Sequence, residues 1–261
     1  MDLAPGPDET CDLLAGSWRI LQLRRGHRFS TDDLLCAWAA ARDMPPGASR
    51  LLDLGSGIGS VGLMLLWRAD PAARLVLVEA QEVSHRLSLR TVALDGLADR
   101  VEARLGDLRD PTTVPETEAW DVVTCSPPYI PQGRGVISPV AQRAGARIEL
   151  RGDVYDYLRA ARRALAPGGR VAVVFAAGDW RLEAAAAAAA LAPLWRRDVV
   201  FRAGKAPTIC VMVAVRAEEG PPEARREDPL VLRDTSGRWT AEYLAVRRLM
   251  GAPVPDAPHG A

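Results

Sequence analysis

Two periods of apolar and polar residues alternate along the chain. Short apolar runs at Arg50–Leu54, Arg74–Glu79, Val101–Leu105, Asp121–Cys125 and Arg170–Ala176 read as buried strands. Between them, Gly59–Trp67, Gln81–Leu94, Val154–Leu165 and the alanine-rich Trp180–Ala192 repeat their apolar positions at helical spacing. Upstream, Trp18–Leu23 alternates as a strand. Thr31–Arg42 reads as a helix that opens on the capping chemistry of Ser30-Thr31-Asp32-Asp33. Pro45-Pro46-Gly47 breaks the chain and Pro167-Gly168-Gly169 turns it. Asp198–Arg202 and Thr208–Val215 read as a closing pair of strands around Gly204. Strand and helix in alternation predict an α/β fold: a doubly wound, mostly parallel sheet with a terminal antiparallel strand and helices on both faces.

The same pattern divides the chain. Residues 1–16 are expected as a disordered lead and residues 17–46 as a strand–helix extension. Residues 47–216 form the main domain. In residues 217–261 a charged, proline-rich linker precedes a small strand at Pro229–Leu232 and a helix at Thr240–Leu249. No internal repeat is visible.

Composition narrows the class. The 261 residues are 48% hydrophobic, enough for a sizeable core. Thirty-three basic and 33 acidic residues cancel, so no global field pulls the chain to nucleic acid or membrane. Lys205 is the single lysine. Cys11, Cys36, Cys125 and Cys210 fit neither a zinc spacing nor a disulfide framework, so reduced thiols, no metal and a cytoplasmic location are expected. Met1–Asp12 has no apolar signal region, and Leu182–Leu194 is too short to span a bilayer. Oligomeric state leaves no mark on the sequence.

Candidate chemistry begins where the first apolar strand runs into "LLDLGSGIGSVG". Glycines at 55, 57 and 59 allow a sharp turn and close approach of a ligand to the backbone. The following helix points its bare N–H groups at that loop. Glu79 ends the next strand, where a carboxylate can hold ribose hydroxyls, and Gly106-Asp107 ends the third strand in the same way. Gly57-x-Gly59-x-x-Gly62 also matches a dinucleotide fingerprint. Asp53 argues against it, since an acid there crowds a pyrophosphate but suits the ammonium of S-adenosylmethionine. The alternative for Asp53 is a capping acid on a tight turn.

The strand ending at Cys125 stops on Ser126-Pro127-Pro128-Tyr129. Neither proline can join a ladder, and both stiffen the loop. The Ser126 hydroxyl and the Pro127 carbonyl can accept from an NH₂ group, and Tyr129 offers a face on which a base stacks. Two acceptors aimed at an exocyclic amine favour its pyramidal, reactive form. Cys125 reads as a small core residue and not as a nucleophile.

These segments resemble class I S-adenosylmethionine-dependent methyltransferases with an [N/D/S]PPY loop. Together with "RGHRFSTDDLLCAW", "ARIEL", "LAPGGR", "FRAGKAPTICVMVAVR" and "PLVLRDTSGRWTAEYL", they resemble the bacterial tRNA-Val adenine-N6 methyltransferases. The resemblance implies a Rossmann-like fold, S-adenosyl-L-methionine as cofactor, and structured RNA, most closely tRNA, as partner. It implies that Asp53, Gly55, Gly57, Glu79 and Asp107 bind the cofactor and that Thr31 and Asp32 lie over its cleft. It further implies that Ser126, Pro127, Pro128 and Tyr129 hold the target base. The family usually carries Asn where this chain has Ser126, and SPPY is typical of cytosine-N4 DNA methyltransferases.

Local charge adds to the RNA expectation. Between Gly133 and Arg170 stand eight arginines, among them Arg134, Arg143 and Arg147, against Glu149, Asp153 and Asp156. Arg19, Arg24, Arg25 and Arg28 with His27 form a second basic stretch. Arg28, Arg134, Arg143 and Arg147 are the candidates for phosphate contacts. Solvated helix faces are the alternative, above all for Arg159, Arg162 and Arg163, and His27 and His85 read as ordinary surface histidines. Three further readings remain: methylation of a release-factor glutamine amide, a cofactor- and RNA-binding protein without catalysis, and, more distantly, a nicotinamide oxidoreductase.

Overall fold

The apolar runs pair into one sheet of eight strands. The computed structural model describes residues 2–133, 138–221 and 223–254. In chain order the elements are β1 (Glu9–Ala15), β2 (Trp18–Leu23), α1 (Thr31–Arg42), β3 (Arg50–Leu54), α2 (Ser60–Arg68), β4 (Arg74–Glu79), α3 (Glu82–Leu94) and β5 (Val101–Leu105). Then follow β6 (Trp120–Cys125), α4 (Ala141–Arg147), α5 (Val154–Ala164), β7 (Leu165–Ala176), α6 (Arg181–Ala188), β8 (Leu191–Val200), β9 (Ile209–Arg216), β10 (Arg225–Val231) and α7 (Ala241–Leu249). The sheet order is β10-β8-β9-β7-β6-β3-β4-β5, and only β9 runs antiparallel to its neighbours.

Both faces of the sheet are covered, as a parallel sheet requires. Alternate residues of each strand enter separate cores. Leu51, Leu77, Val122, Ala172 and Val213 pack on one side with α1, α2 and α7. Leu52, Val78, Val123, Val173 and Met212 pack on the other with α5 and α6. Ser30 and Asp33 close a capping box on α1, and Asp153 with Asp156 closes one on α5.

Four expectations change. The lead expected as disordered contains β1, which pairs antiparallel with β2. That hairpin docks on α3, where the Asp95 carboxylate accepts from Arg19 N (3.0 Å) and the Thr91 hydroxyl from Leu21 N (3.0 Å). The turn at Pro167-Gly168-Gly169 is a bulge inside β7: Trp120 pairs with Leu165 and Val122 with Arg170. The alanine-rich helix stops at Ala188, and Ala190 at φ 53° turns the chain into β8, longer than the strand expected there. Alanine marks neither a helical nor a strand face, so the sequence carries no signal for that boundary. Finally, the expected linker supplies β10, which adds to β8 as a parallel edge strand. Pro229 is tolerated there because an edge strand leaves one side unpaired.

Among the described residues no helix is long and apolar enough to cross a membrane, and no group of three acids, histidines or cysteines is placed to hold a metal. All four cysteines are thiols.

Candidate active site

Three left-handed glycines build the turn after β3: Gly55 at φ 64°, Gly57 at 57° and Gly59 at 90°. An L side chain is strained at each. At Gly55 a Cβ would also collide with the Tyr157 hydroxyl. Two carboxylates hold the turn. Asp53 Oδ2 accepts from Gly62 N (2.9 Å) and Oδ1 from the Thr124 hydroxyl (2.8 Å), which draws the first turn of α2 onto β3 and β6. Glu79 Oε2 accepts from Gly57 N (2.8 Å) and Oε1 from Gln81 N (2.6 Å). Each Glu79 oxygen keeps a lone pair for a further donor. Both Asp53 oxygens are engaged, as a capping acid requires, yet the residue still borders the open space beyond the turn.

Beside the turn, β6 ends in the Ser-Pro-Pro-Tyr loop. Pro127 and Pro128 are buried, and Ser126 and Tyr129 half-buried. The Tyr129 ring meets Phe175 edge to face, with centroids 6.2 Å apart and planes at 88°. Its hydroxyl donates to Asp32 Oδ2 over a long 3.4 Å. The segment after α4 braces the loop from outside: Ile130 N donates to the Arg147 carbonyl (3.3 Å), and Glu149 N to the Ile130 carbonyl (3.0 Å). The loop is therefore ordered before any substrate arrives.

A cleft of about 520 Å³ joins the two loops. Asp32, Asp53, Gly55, Gly57, Glu79 and Asp107 border it, as do all four residues of the Ser-Pro-Pro-Tyr loop. Thr31 does not: its hydroxyl lies 3.4 Å from that of Tyr243 on α7. The expected place for Thr31 over the cleft is thus corrected, because one step along α1 turns its side chain toward α7. Of the candidate arginines, Arg28, Arg143 and Arg147 line the mouth, and Arg24, Arg25 and Arg151 line the cleft as well. Arg28 is already paired with Asp12 (3.0 Å). Arg143 and Arg147 are exposed and have no acidic partner among the described residues. Arg134 lies outside the described residues. Arg159 and Arg162 pair with Asp156 and Glu218, so they are helix-face arginines.

Several lining residues carried no such signal in the sequence. Asp33 looked like capping chemistry alone, but its carboxylate also accepts from the Ser60 hydroxyl (3.1 Å) at the start of α2. Tyr157 comes from α5, far along the chain, and only packing brings it over Gly55. His27, expected at the surface, lines the cleft, and burial with nearby Arg147 lowers its pKa. Gln142 ties α4 down: its Oε1 accepts from His27 N (2.5 Å) and its Nε2 donates to the Ser84 hydroxyl (3.1 Å).

The floor is acidic and dry. Burial raises Asp53 to about 7, with Asp33 and Glu79 adding to the effect. Burial also raises Asp32 and Asp33 to about 6, and the neighbouring Asp33 charge pushes Asp32 further. Glu79 is raised by burial too. Asp107 is the exception, held below the usual carboxylate range by Arg109 at 2.6 Å. Burial drives the Cys125 thiol far above its ordinary value, which leaves it inert as a nucleophile. An acidic floor below a basic mouth suits a ligand whose cationic end lies deep and a polyanion that covers the opening.

A family model described as the methyltransferase small domain matches residues 39–180. A tRNA1(Val) (adenine(37)-N6)-methyltransferase of Tolumonas auensis is 28% identical over 231 residues, 88% of this chain and 92% of that protein. One from Pasteurella multocida is 27% identical over 218 residues, 82% of this chain and 85% of that protein. Among solved structures, one described as a predicted O-methyltransferase from Agrobacterium tumefaciens superposes with a TM-score of 0.65 at 18% identity. The match covers 87% of this chain and all of that one. A likeness at that identity speaks to the fold, which is Rossmann-like.

Proposed function

We propose that this chain, which belongs to the methyltransferase small domain family, transfers a methyl group from S-adenosylmethionine to the exocyclic N6 of an adenine in tRNA. The observation that carries the reading is the meeting of the glycine turn and the Ser-Pro-Pro-Tyr loop in one cleft. The names of relatives similar over more than four-fifths of the chain support the choice of acceptor.

The residues present fit the cofactor. Glu79 has acceptor capacity left for ribose hydroxyls, and the open space beside Gly57 leaves room for a ligand against the turn. The carboxylates of Asp32, Asp33 and Asp53 make the floor favourable for an ammonium or sulfonium charge. When bound, S-adenosylmethionine would supply an electrophilic methyl carbon and leave as S-adenosylhomocysteine, the methylated amine would lose one proton to water, and the work of this chain's residues is positioning. Tyr129 offers its ring to the base; such stacking contributes roughly 1–3 kcal/mol. The Ser126 hydroxyl and the Pro127 carbonyl accept from the amine and hold its lone pair toward the floor. That geometry is stronger in the transition state than in the flat ground-state amine. Alignment of the reactants supplies on the order of 7–11 kcal/mol. Arg143 and Arg147 at the mouth neutralise backbone phosphates. A tRNA substrate carries the expectation of a cytoplasmic protein with it.

The test is incubation with labelled S-adenosylmethionine and total tRNA, followed by digestion to nucleosides. Label in N6-methyladenosine is expected. Label in another nucleoside moves the target base, and label that appears only in the glutamine of an added release factor overturns the RNA reading.

A further inference from the structure

We propose that the carboxyl edge of the sheet beyond the cleft is a track for the RNA strand flanking the target base, with Trp180 as its stacking platform. The proposal rests on the reading of the chain as an RNA methyltransferase and adds where the neighbouring nucleotides lie.

The topology brings the track together. β6, β7, β8 and β10 run parallel, so the loops that leave them open on the edge that holds the cleft. Three such loops stand side by side: residues 177–180 after β7, 201–208 after β8 and 232–239 after β10. They are bonded to one another. Ala177 N donates to the Thr208 carbonyl (3.2 Å), and Ala203 N to the Arg233 carbonyl (2.8 Å).

One exposed ring on a surface needs no explanation. Here the three adjoining loops together carry Trp180, 72% exposed, Phe201, 37% exposed, and the exposed Arg202, Lys205, Arg233 and Arg238. Among the described residues the acids on these loops are Asp179, bound to Arg181 at 2.6 Å, and Asp234, bound to Arg238 at 3.5 Å. Arg202 and Lys205 have no acidic partner among the described residues, and Lys205 is the chain's single lysine. These loops join the base-holding loop through packed side chains. Arg181 lies 5.7 Å over Phe175 and pairs with Glu149 (2.7 Å), and Phe175 meets the Tyr129 ring. From β6 to β10 the sheet crosses four strand spacings, about 19 Å, the reach of a short run of nucleotides. Unpaired cations interleaved with exposed rings hold a single strand, phosphates on the cations and bases on the rings. A protein partner would favour a core depleted of charge.

The test measures binding of labelled tRNA by fluorescence anisotropy over a salt series, and the KM for tRNA in methyl transfer. Trp180→Ala is expected to weaken binding roughly 5- to 100-fold, and Trp180→Phe to restore most of it. Arg202→Ala with Lys205→Ala should lower the slope of log affinity against log salt by about 1.4. In Trp180→Ala and in the Arg202→Ala, Lys205→Ala double variant KM rises and in Trp180→Phe it stays near the wild-type value, while in all of them kcat at saturating tRNA and the affinity for S-adenosylhomocysteine stay at wild-type values, because the track touches neither reacting atom. Variants that bind tRNA as the wild type does, with the same salt slope, overturn the track; a surface made for a protein partner gives that result. If the wild type methylates tRNA and the variants keep its KM, the track falls and the function stands. If the wild type binds no tRNA at any salt, both fall.

Discussion

Replacing Asp53 with asparagine is expected to flatten the dependence of stability on pH. The side chain is 1% exposed, between the Thr124 hydroxyl and the Gly62 amide. Burial, reinforced by Asp33 and Glu79, raises its pKa from 3.8 to about 7. A carboxyl raised on folding holds its proton more tightly in the folded state. Its stabilisation is complete below the unfolded value and is lost as pH rises through the folded one. Between pH 5 and pH 8 that shift removes on the order of 3 kcal/mol from the wild type. Asparagine does not titrate. Its amide can present oxygen to Gly62 N and NH₂ to the Thr124 oxygen, so any packing cost is a constant offset. His27 and the other titrating groups are common to both proteins and largely cancel in the difference. Urea unfolding of both proteins from pH 5 to pH 8, extrapolated to water, measures that difference. The advantage of the wild type over the variant should fall by on the order of 3 kcal/mol across the range. Parallel curves would mean an ordinary, ionised Asp53 and would refute the account of a dry acidic floor.

Tyr129→Ala should cut methyl transfer by about 100-fold or more and leave cofactor affinity within about threefold. Single-turnover transfer and calorimetry check this, and surviving activity would mean the ring does not hold the base. Gly55→Ala places a Cβ against the Tyr157 hydroxyl at a left-handed φ, a backbone cost of about 1–2 kcal/mol before the collision. A lowered melting temperature and lost S-adenosylhomocysteine binding are expected, and adding Tyr157→Phe should restore little, because the ring carbons also stand within collision distance of that Cβ. Affinity for S-adenosylmethionine should rise as pH climbs past about 6 and about 7, where Asp32, Asp33 and Asp53 lose their protons. S-adenosylhomocysteine, without the sulfonium charge, should gain less, and calorimetry across that range compares the two.

Much of the site was legible because its chemistry is local. Gly55, Gly57 and Glu79 follow from a turn that must have no Cβ and a strand that must end on a carboxylate, and Ser126–Tyr129 from a strand that two prolines stop. Their neighbours Thr31 and Asp32 were not separable, since adjacent residues of one helix look alike in sequence, and of the two α1 turns Asp32 into the cleft and Thr31 toward α7. The arginines divided for the same reason. Arg143 and Arg147 stay open at the mouth, whereas Arg28 is paired with Asp12 on a strand read as disordered.

By itself the sequence determined the alternation of strands and helices from β2 to β9, α4 apart, the doubly wound class and the two loops that meet at the cleft. Those rest on periodicity, glycine and proline, which act over a few residues. Only the tertiary structure decided that Tyr157 covers Gly55, that Gln142 ties α4 to His27 and Ser84, and that β10 completes the sheet edge beside β8. Each of these joins residues distant along the chain. Such contacts depend on which faces are left to bury once the sheet has formed, and short-range pattern carries no record of that.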